Sequence, residues 1–166
     1  MRALCLFCFF VSYLATSQIC LPDFDANLKI DEFADNSDGT ATDVSLGLVW
    51  MRCSLGQTWV DETCTGDASE LTWQQALQLA HGYEYAEQVG WRVPNMKELA
   101  SLTERSCVRP AINEFFFPNT SSDGYWTSTP SVIDPDRAWV IAFFNSSNSL
   151  KDKNLFVFTR LVRTAD

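Results

Sequence analysis

The single histidine of this 166-residue chain, His81, is the first residue to examine for catalysis. An imidazole acts as a general base only when another group orients it beside a nucleophile or a substrate proton. No nucleophile-elbow sequence accompanies His81, which directly precedes Gly82 at the expected end of a helix. A cation there meets the last helical carbonyl groups favourably. We therefore predict a helix-terminal role for His81, no catalytic residue and no enzymatic activity.

The cysteines indicate disulfides rather than a metal centre. Cys20, Cys53, Cys64 and Cys107 follow the N-terminal apolar segment, and their spacings with one histidine do not fit zinc patterns. Four cysteines in an exported chain allow three pairings of two disulfides. We favour Cys53–Cys64, which closes a short turn-rich loop. Cys20–Cys107 would then pin an N-terminal arm to the body of the protein.

The acidic run at residues 35–39 superficially resembles a calcium-binding loop. With Gly39 in the sixth place, Ala34 would stand first and Ser45 twelfth, and neither supplies a carboxylate. A hairpin turn explains the run, and we predict no metal or other cofactor. An irregular calcium site stays open as an alternative, with oxygen ligands from Asp31, Asp35, Asp38 or Asp43.

Most of the six tryptophans lie in helix or strand patterns, where they should be buried. Trp59 is the exception, because it stands in a loop among polar residues. An exposed indole face can stack on the apolar side of a sugar ring while neighbouring polar groups bind its hydroxyls. The candidate ligand-binding residues are Trp59, Gln57 and Asp61, together with Arg92.

Residues 1–17 have the features of a signal peptide, with Arg2, a short apolar run and small residues at the cleavage positions. The alternatives are a buried helix or a membrane anchor, for which the run is short. Removing Arg2 leaves 11 basic and 21 acidic residues, so the net charge changes from −9 to −10. This charge disfavours nucleic acids and anionic membranes as partners. We expect an exported protein, in the periplasm, on the outer surface or in the medium.

The remaining chain predicts an N-terminal arm over residues 18–37 and one domain over residues 38–166. Thr72 and Gln75 have capping-box spacing before an amphipathic helix, and a second helix follows Asn95 with Glu98 three residues on. Beyond Pro110 the composition favours β-structure, including the apolar run 115–117. These patterns predict an α+β fold with two helices on a twisted, mainly antiparallel sheet.

Four stretches together resemble the C-terminal domain family of the Legionella collagen-like protein (Lcl). They are residues 47–51 (GLVWM), 91–99 (WRVPNMKEL), 125–128 (YWTS) and 160–163 (RLVR), and the resemblance covers roughly residues 38–164. The residues of this chain that the resemblance assigns to structural motifs are Trp50, Trp91, Pro94, Glu98, Trp126, Arg160 and Arg163. The resemblance implies an exported surface or periplasmic module, since the namesake is an adhesin for sulfated glycosaminoglycans.

The stretch from Trp91 to Glu98 is also remotely similar to formylglycine-generating enzymes. This similarity implies a C-type-lectin-like architecture, by analogy alone. Those enzymes use a reactive cysteine pair late in the chain, and no cysteine follows Cys107. Their chemistry is therefore not carried over.

We predict a non-catalytic, adhesion-type binding module for carbohydrate or a surface protein. The alternatives are a structural component of a surface appendage and, less favoured, a degenerate formylglycine-generating-like enzyme. Two departures from the namesake matter: this chain has no collagen-like Gly-X-Y stalk, and it is acidic. The ligand and the oligomeric state are not predicted from the sequence.

Overall fold

The computed structural model describes residues 18–22 and 30–165. The predicted signal peptide lies outside these residues. Within the described part, none of the helices has the length and apolar character needed to cross a bilayer.

The described chain forms two α-helices, a 3₁₀ turn at Ile30–Glu32 and thirteen short strands. The helices are α1 (Trp73–Ala80) and α2 (Met96–Ser101). The strands are β1 (Ile19–Cys20), β2 (Phe33–Asp35), β3 (Thr40–Asp43), β4 (Leu48–Met51), β5 (Thr58–Val60), β6 (Thr63–Thr65), β7 (Glu70–Leu71), β8 (Cys107–Val108), β9 (Gly124–Pro130), β10 (Arg137–Ala142), β11 (Ser147–Asp152), β12 (Val157–Phe158) and β13 (Val162–Thr164).

Both helices begin at the capping boxes predicted from the sequence. Thr72 accepts a hydrogen bond from the N–H of Gln75, whose side chain accepts one from the N–H of Thr72. Asn95 and Glu98 form the same reciprocal pair before α2. Side chains thus satisfy backbone donors that a helix start leaves unpaired. His81 caps the end of α1, as predicted, and is exposed.

The strands form two principal sheets rather than the one sheet expected. The larger has the order β11-β10-β9-β12-β7, and the smaller has the order β13-β4-β3-β2. Every pairing is antiparallel except β9 with β12. The acidic run turns the chain between β2 and β3, so the predicted hairpin is present. The predicted N-terminal arm therefore contributes a strand, β2, to the smaller sheet.

The core lies on both faces of the two central strands. Trp50 of β4 and Tyr125 of β9 belong to a cluster that includes Leu99 of α2. Their chain neighbours Met51 and Trp126 belong to a second cluster, which includes Ala76 of α1. Because successive strand residues point to opposite faces, each central strand is covered on both sides. A two-sided core explains why β4 reads as a continuous apolar run, LVWM.

Both predicted disulfides are present. Cys20 pairs with Cys107 where β1 meets β8, and Cys53 pairs with Cys64 at the β5–β6 hairpin. Two local expectations are wrong. Residues 115–117 form a turn, because Phe116 and Phe117 pack against Phe33 without a strand partner. Trp73 and Trp139 are half-buried rather than fully buried, and Trp73 packs against the second core cluster.

Candidate functional site

Trp59 lies on a small hairpin that is fixed covalently to the core. The turn between β5 and β6 uses Asp61 and Glu62, both with positive φ, as a two-residue hairpin requires. Trp59 stands directly opposite Cys64 on β6, and Cys64 is bonded to buried Cys53. The segment predicted as a loop is therefore a hairpin, anchored by a disulfide, that carries the half-buried indole of Trp59.

A buried arginine holds the Trp59 ring in place. The guanidinium carbon of Arg52 lies 4.2 Å from the centroid of the indole. Its nitrogens pair with Asp35 at 2.7 Å and donate to the carbonyl oxygens of Phe116 and Phe115 at 2.9 and 2.7 Å. A guanidinium fixed by three acceptors cannot follow the ring if it moves. Cation–π attraction therefore favours one position of Trp59.

Glycine at position 39 allows the second aromatic of the site to approach. Gly39 has a φ of 86°, and a Cβ there would lie 2.8 Å from Cγ of Trp59 and collide with the hydroxyl of Tyr85. Only glycine fits between these two side chains. Tyr85 in turn stacks edge-on against Trp91, with centroids 6.1 Å apart. We call Trp59, Tyr85, Asp38 and Asp61 the Trp59 platform.

The platform presents an uncharged donor beside carboxylate acceptors. Burial raises the pKa of the Tyr85 phenol, and the nearby Asp38 carboxylate raises it further. The phenol therefore stays protonated and can donate a hydrogen bond well above neutral pH. Asp61 is exposed at the hairpin turn. A half-buried indole, a hydroxyl donor and carboxylate oxygens are the kinds of group that contact the apolar face and the hydroxyls of a sugar ring.

The structure does not bring all the predicted ligand-binding residues together. Gln57 is used internally, because its side chain accepts from the N–H of Ser54 and donates to the carbonyl of Asn119. Arg92 belongs to another region, where its two terminal nitrogens donate to Glu98 at 2.7 and 2.8 Å. The hydrogen bond from Arg92 lowers the pKa of the Glu98 carboxyl, and the same bond raises the pKa of Arg92. Arg92 is thus satisfied within the fold while 40% of its side chain stays exposed.

The motif residues hold the fold and, through it, the platform. Arg160 is fully buried and donates to the carbonyl oxygens of Met51 and Arg52 and, at 2.7 Å, to the hydroxyl of Thr120. Burial lowers its pKa to about 10. Because Arg160 fixes the backbone of Arg52, it also positions the guanidinium under Trp59.

The other motif residues likewise make contacts within the fold. Trp50, Trp91 and Trp126 are 0, 3 and 0% exposed, as the sequence predicted for Trp91 and Trp126. The carbonyl of Pro94 accepts from the N–H of Ser128, and Arg163 donates to the carbonyl of Val89. These contacts tie the family motifs to the scaffold rather than to a binding surface.

Sequence reasoning missed Tyr85, Arg52 and Gly39 as parts of the site. Their contacts join residues far apart in the chain, and no local periodicity marks them. The acidic residues considered for calcium serve turns instead: Asp38 accepts from the N–H and hydroxyl of Thr40, and Asp43 accepts from Ser45. Within residues 18–22 and 30–165, no group of three or more histidine, cysteine or acidic side chains converges to hold a metal ion.

Comparison with known families agrees with the motifs. The sequence model of the Lcl C-terminal domain matches residues 39–163, which include Trp59, Tyr85 and Asp61 of the Trp59 platform and three of the four disulfide-bonded cysteines. No curated protein shows a significant sequence match to the chain. The match extends over most of the chain, from the β2–β3 turn into the last strand. The chain therefore belongs to the Lcl C-terminal domain family.

Proposed function

We propose that this protein is an exported, non-catalytic binding module that recognises carbohydrate through the Trp59 platform. The observation that carries the proposal is the half-buried Trp59 ring, held by a buried arginine beside the hydroxyl of Tyr85. Rings fixed before binding lose little conformational entropy when a ligand arrives. Protein ligands with an exposed apolar side chain are the alternative class for the same surface.

The compartment and the architecture are part of the proposal. Two disulfides are consistent with an oxidising compartment, such as the periplasm or the cell surface. The remote resemblance to formylglycine-generating enzymes supports a C-type-lectin-like arrangement of the two sheets. The family's namesake makes adhesion the biological role that we favour.

The charges of the platform favour a neutral ligand. Asp61 is exposed and Asp38 is half-buried, whereas the cation beside Trp59, Arg52, is 4% exposed and already paired with Asp35. A polyanion would meet carboxylates here instead of a basic face. Binding should therefore change little with ionic strength, because salt screens exposed charge pairs over ~8–10 Å.

A glycan array read at low and at physiological salt tests the proposal. We expect binding of neutral glycans at both salt concentrations, with a loss of at least tenfold on Trp59→Ala and a smaller loss on Trp59→Phe. Stacking on an aromatic ring accounts for this order. Phe156→Ala is the matched control, since Phe156 is 63% exposed on another surface and should leave binding unchanged.

Two results would contradict the proposal. Equal loss in Trp59→Ala and Phe156→Ala would show that binding does not depend on the platform. Binding only to sulfated chains, abolished by added salt, would show an electrostatic mode despite the acidic surface. If no glycan or protein ligand binds, the appendage-component hypothesis becomes the better one.

A further inference from the structure

The connection between β9 and β10 displays two aliphatic side chains almost entirely to solvent. Val132 is 97% exposed and Ile133 is 86% exposed. They are the most exposed large apolar residues in the described part of the chain. We call this pair the apolar tip. Contiguous exposed apolar surface can mark a site of contact with a protein or a membrane.

The apolar tip is held rigidly. The hydroxyl of Ser131 accepts from the N–H groups of Ile133 and Asp134 at 3.3 and 3.1 Å. Asp134 pairs with Arg137 at 3.2 Å, and Lys153 donates to the carbonyl of Pro135 at 2.6 Å. The exposure of Val132 and Ile133 is therefore set by a hydrogen-bonded loop. A loop ordered in advance loses little entropy on binding.

An open cleft lies at the same end of the β9–β10 hairpin. It measures about 370 Å³ and is lined by Asn95, Met96, Lys97, Thr129 and Trp139. Met96 and Trp139 supply apolar walls, and both are half-buried. Thr129 stands three positions before the tip in the chain, and the β9–β10 ladder, in which Pro130 pairs with Ala138, joins the cleft to the tip. A cleft of this size falls within the range of protein ligand sites, roughly 300–1,000 Å³.

We propose that two copies of the protein associate symmetrically, each inserting its apolar tip into the Met96–Trp139 cleft of the other. A two-fold axis requires that the same patch contain both complementary parts. The tip and the cleft meet this requirement because they occupy neighbouring positions at one end of one hairpin. The tip cannot occupy the cleft of its own chain, since both of its side chains face solvent.

The charges around the apolar tip and the Met96–Trp139 cleft favour a second copy of the chain as the partner that fills the cleft. Lys97 is exposed at the cleft, and Asp136 is exposed beside the tip. Within the described residues, neither side chain takes part in an ion pair. Exchange of tips brings the ammonium of one copy toward the carboxylate of the other. An anionic lipid surface would find no net basic charge here, because Arg137 and Lys153 at this loop are balanced by Asp134 and Asp136.

Sedimentation of the mature, disulfide-bonded protein over a range of concentrations tests this proposal. We expect a reversible dimer whose dissociation constant increases at least tenfold in Val132→Ser/Ile133→Ser. Val44→Ser/Leu46→Ser is the matched control, because these residues are 59 and 52% exposed at another turn. All variants change surface residues, and an unchanged thermal midpoint confirms that they fold.

Exchanging the charges of Lys97 and Asp136 distinguishes this specific interface from non-specific hydrophobic association. Lys97→Glu alone should weaken the dimer, and adding Asp136→Lys to it should restore association. A monomer at every concentration would overturn the proposal, as would a dimer that tolerates the serine substitutions at the tip. Tip-dependent binding of a monomeric protein to phosphatidylcholine vesicles would also overturn it and would assign the tip to a lipid surface. Glycan binding at Trp59 is independent of all these outcomes.

Discussion

Arg160 and Arg92 both belong to the family motifs, yet the fold uses their charges in opposite ways. Arg160 is fully buried, and within the described part of the chain it pairs with no carboxylate; neutral oxygens accept its hydrogen bonds. Arg92 keeps 40% of its side chain exposed and has a carboxylate partner in Glu98. An ion pair in a motif is therefore a weaker sign of structural importance than complete burial. Burying a charge is costly, so a buried charge persists only where its removal would leave several groups unsatisfied.

The largest effect should come from Arg160→Ala. We expect a loss of about 5 kcal/mol in the free energy of unfolding, because buried carbonyls lose their donors and a cavity forms. Chemical denaturation followed by far-UV circular dichroism measures it. Arg160→Met fills the volume without donating, so it should recover part of the loss. A loss below about 1 kcal/mol in Arg160→Ala would show that the buried charge is not structural.

The next largest effect should come from the neighbour of Arg92. Trp91 is 3% exposed in the second core cluster, so Trp91→Ala should reduce the free energy of unfolding by about 3–5 kcal/mol. The thermal midpoints of Trp91→Ala and Arg92→Ala, measured side by side, compare the two neighbouring residues of one motif. An unchanged midpoint in Trp91→Ala would assign the motif to a functional surface.

The smallest effect should come from the ion pair itself. Arg92→Ala should cost about 1 kcal/mol or less at neutral pH, because solvent screens a pair that is this exposed. The pKa of Glu98 is lowered in the folded protein. The ion pair therefore stabilises the fold fully above the pKa of the unfolded carboxyl, about 4.3, and this stabilisation is lost as the pH falls further. The difference in the free energy of unfolding between wild type and Arg92→Ala should therefore decrease as the pH is lowered. A difference that grows with acidity would reverse our assignment of the pair.

The elements predicted best depend on contacts within a few residues. The capping boxes at Thr72 and Asn95 are visible in the sequence because each joins residues three positions apart. The turn before β3 follows from its Asp and Gly residues in the same way. The disulfide pairing was also predicted, although Cys20–Cys107 spans 87 positions, because four cysteines leave few combinations.

The rest depended on packing that no local pattern records. Residues 115–117 have the composition of a strand, but the rings of Phe116 and Phe117 pack in the core beside Phe33, and Phe115 is exposed. The sequence predicts Trp59 as a candidate contact residue, but it does not point to Arg52 beneath the ring or to Tyr85 beside it. Those neighbours come from separate chain segments, and tertiary structure alone brings them together. Trp139 was expected in the core because it lies in a strand pattern. Such a pattern does not tell which face of the strand is covered by other residues.

The position of the Cys20–Cys107 bond also determines how the molecule carries mechanical load. Tension between the two ends of the chain would enter the described fold at Cys20 and pass through the covalent bond to Cys107. The segment between them, which includes both helices and the Trp59 hairpin, cannot be extended while that bond is intact. A pulling force would instead act on the strands after Cys107. The Trp59 hairpin would therefore lie outside the covalent path of the tension, and the force would reach it through non-covalent contacts such as those of Arg52 with Phe115, Phe116 and Arg160.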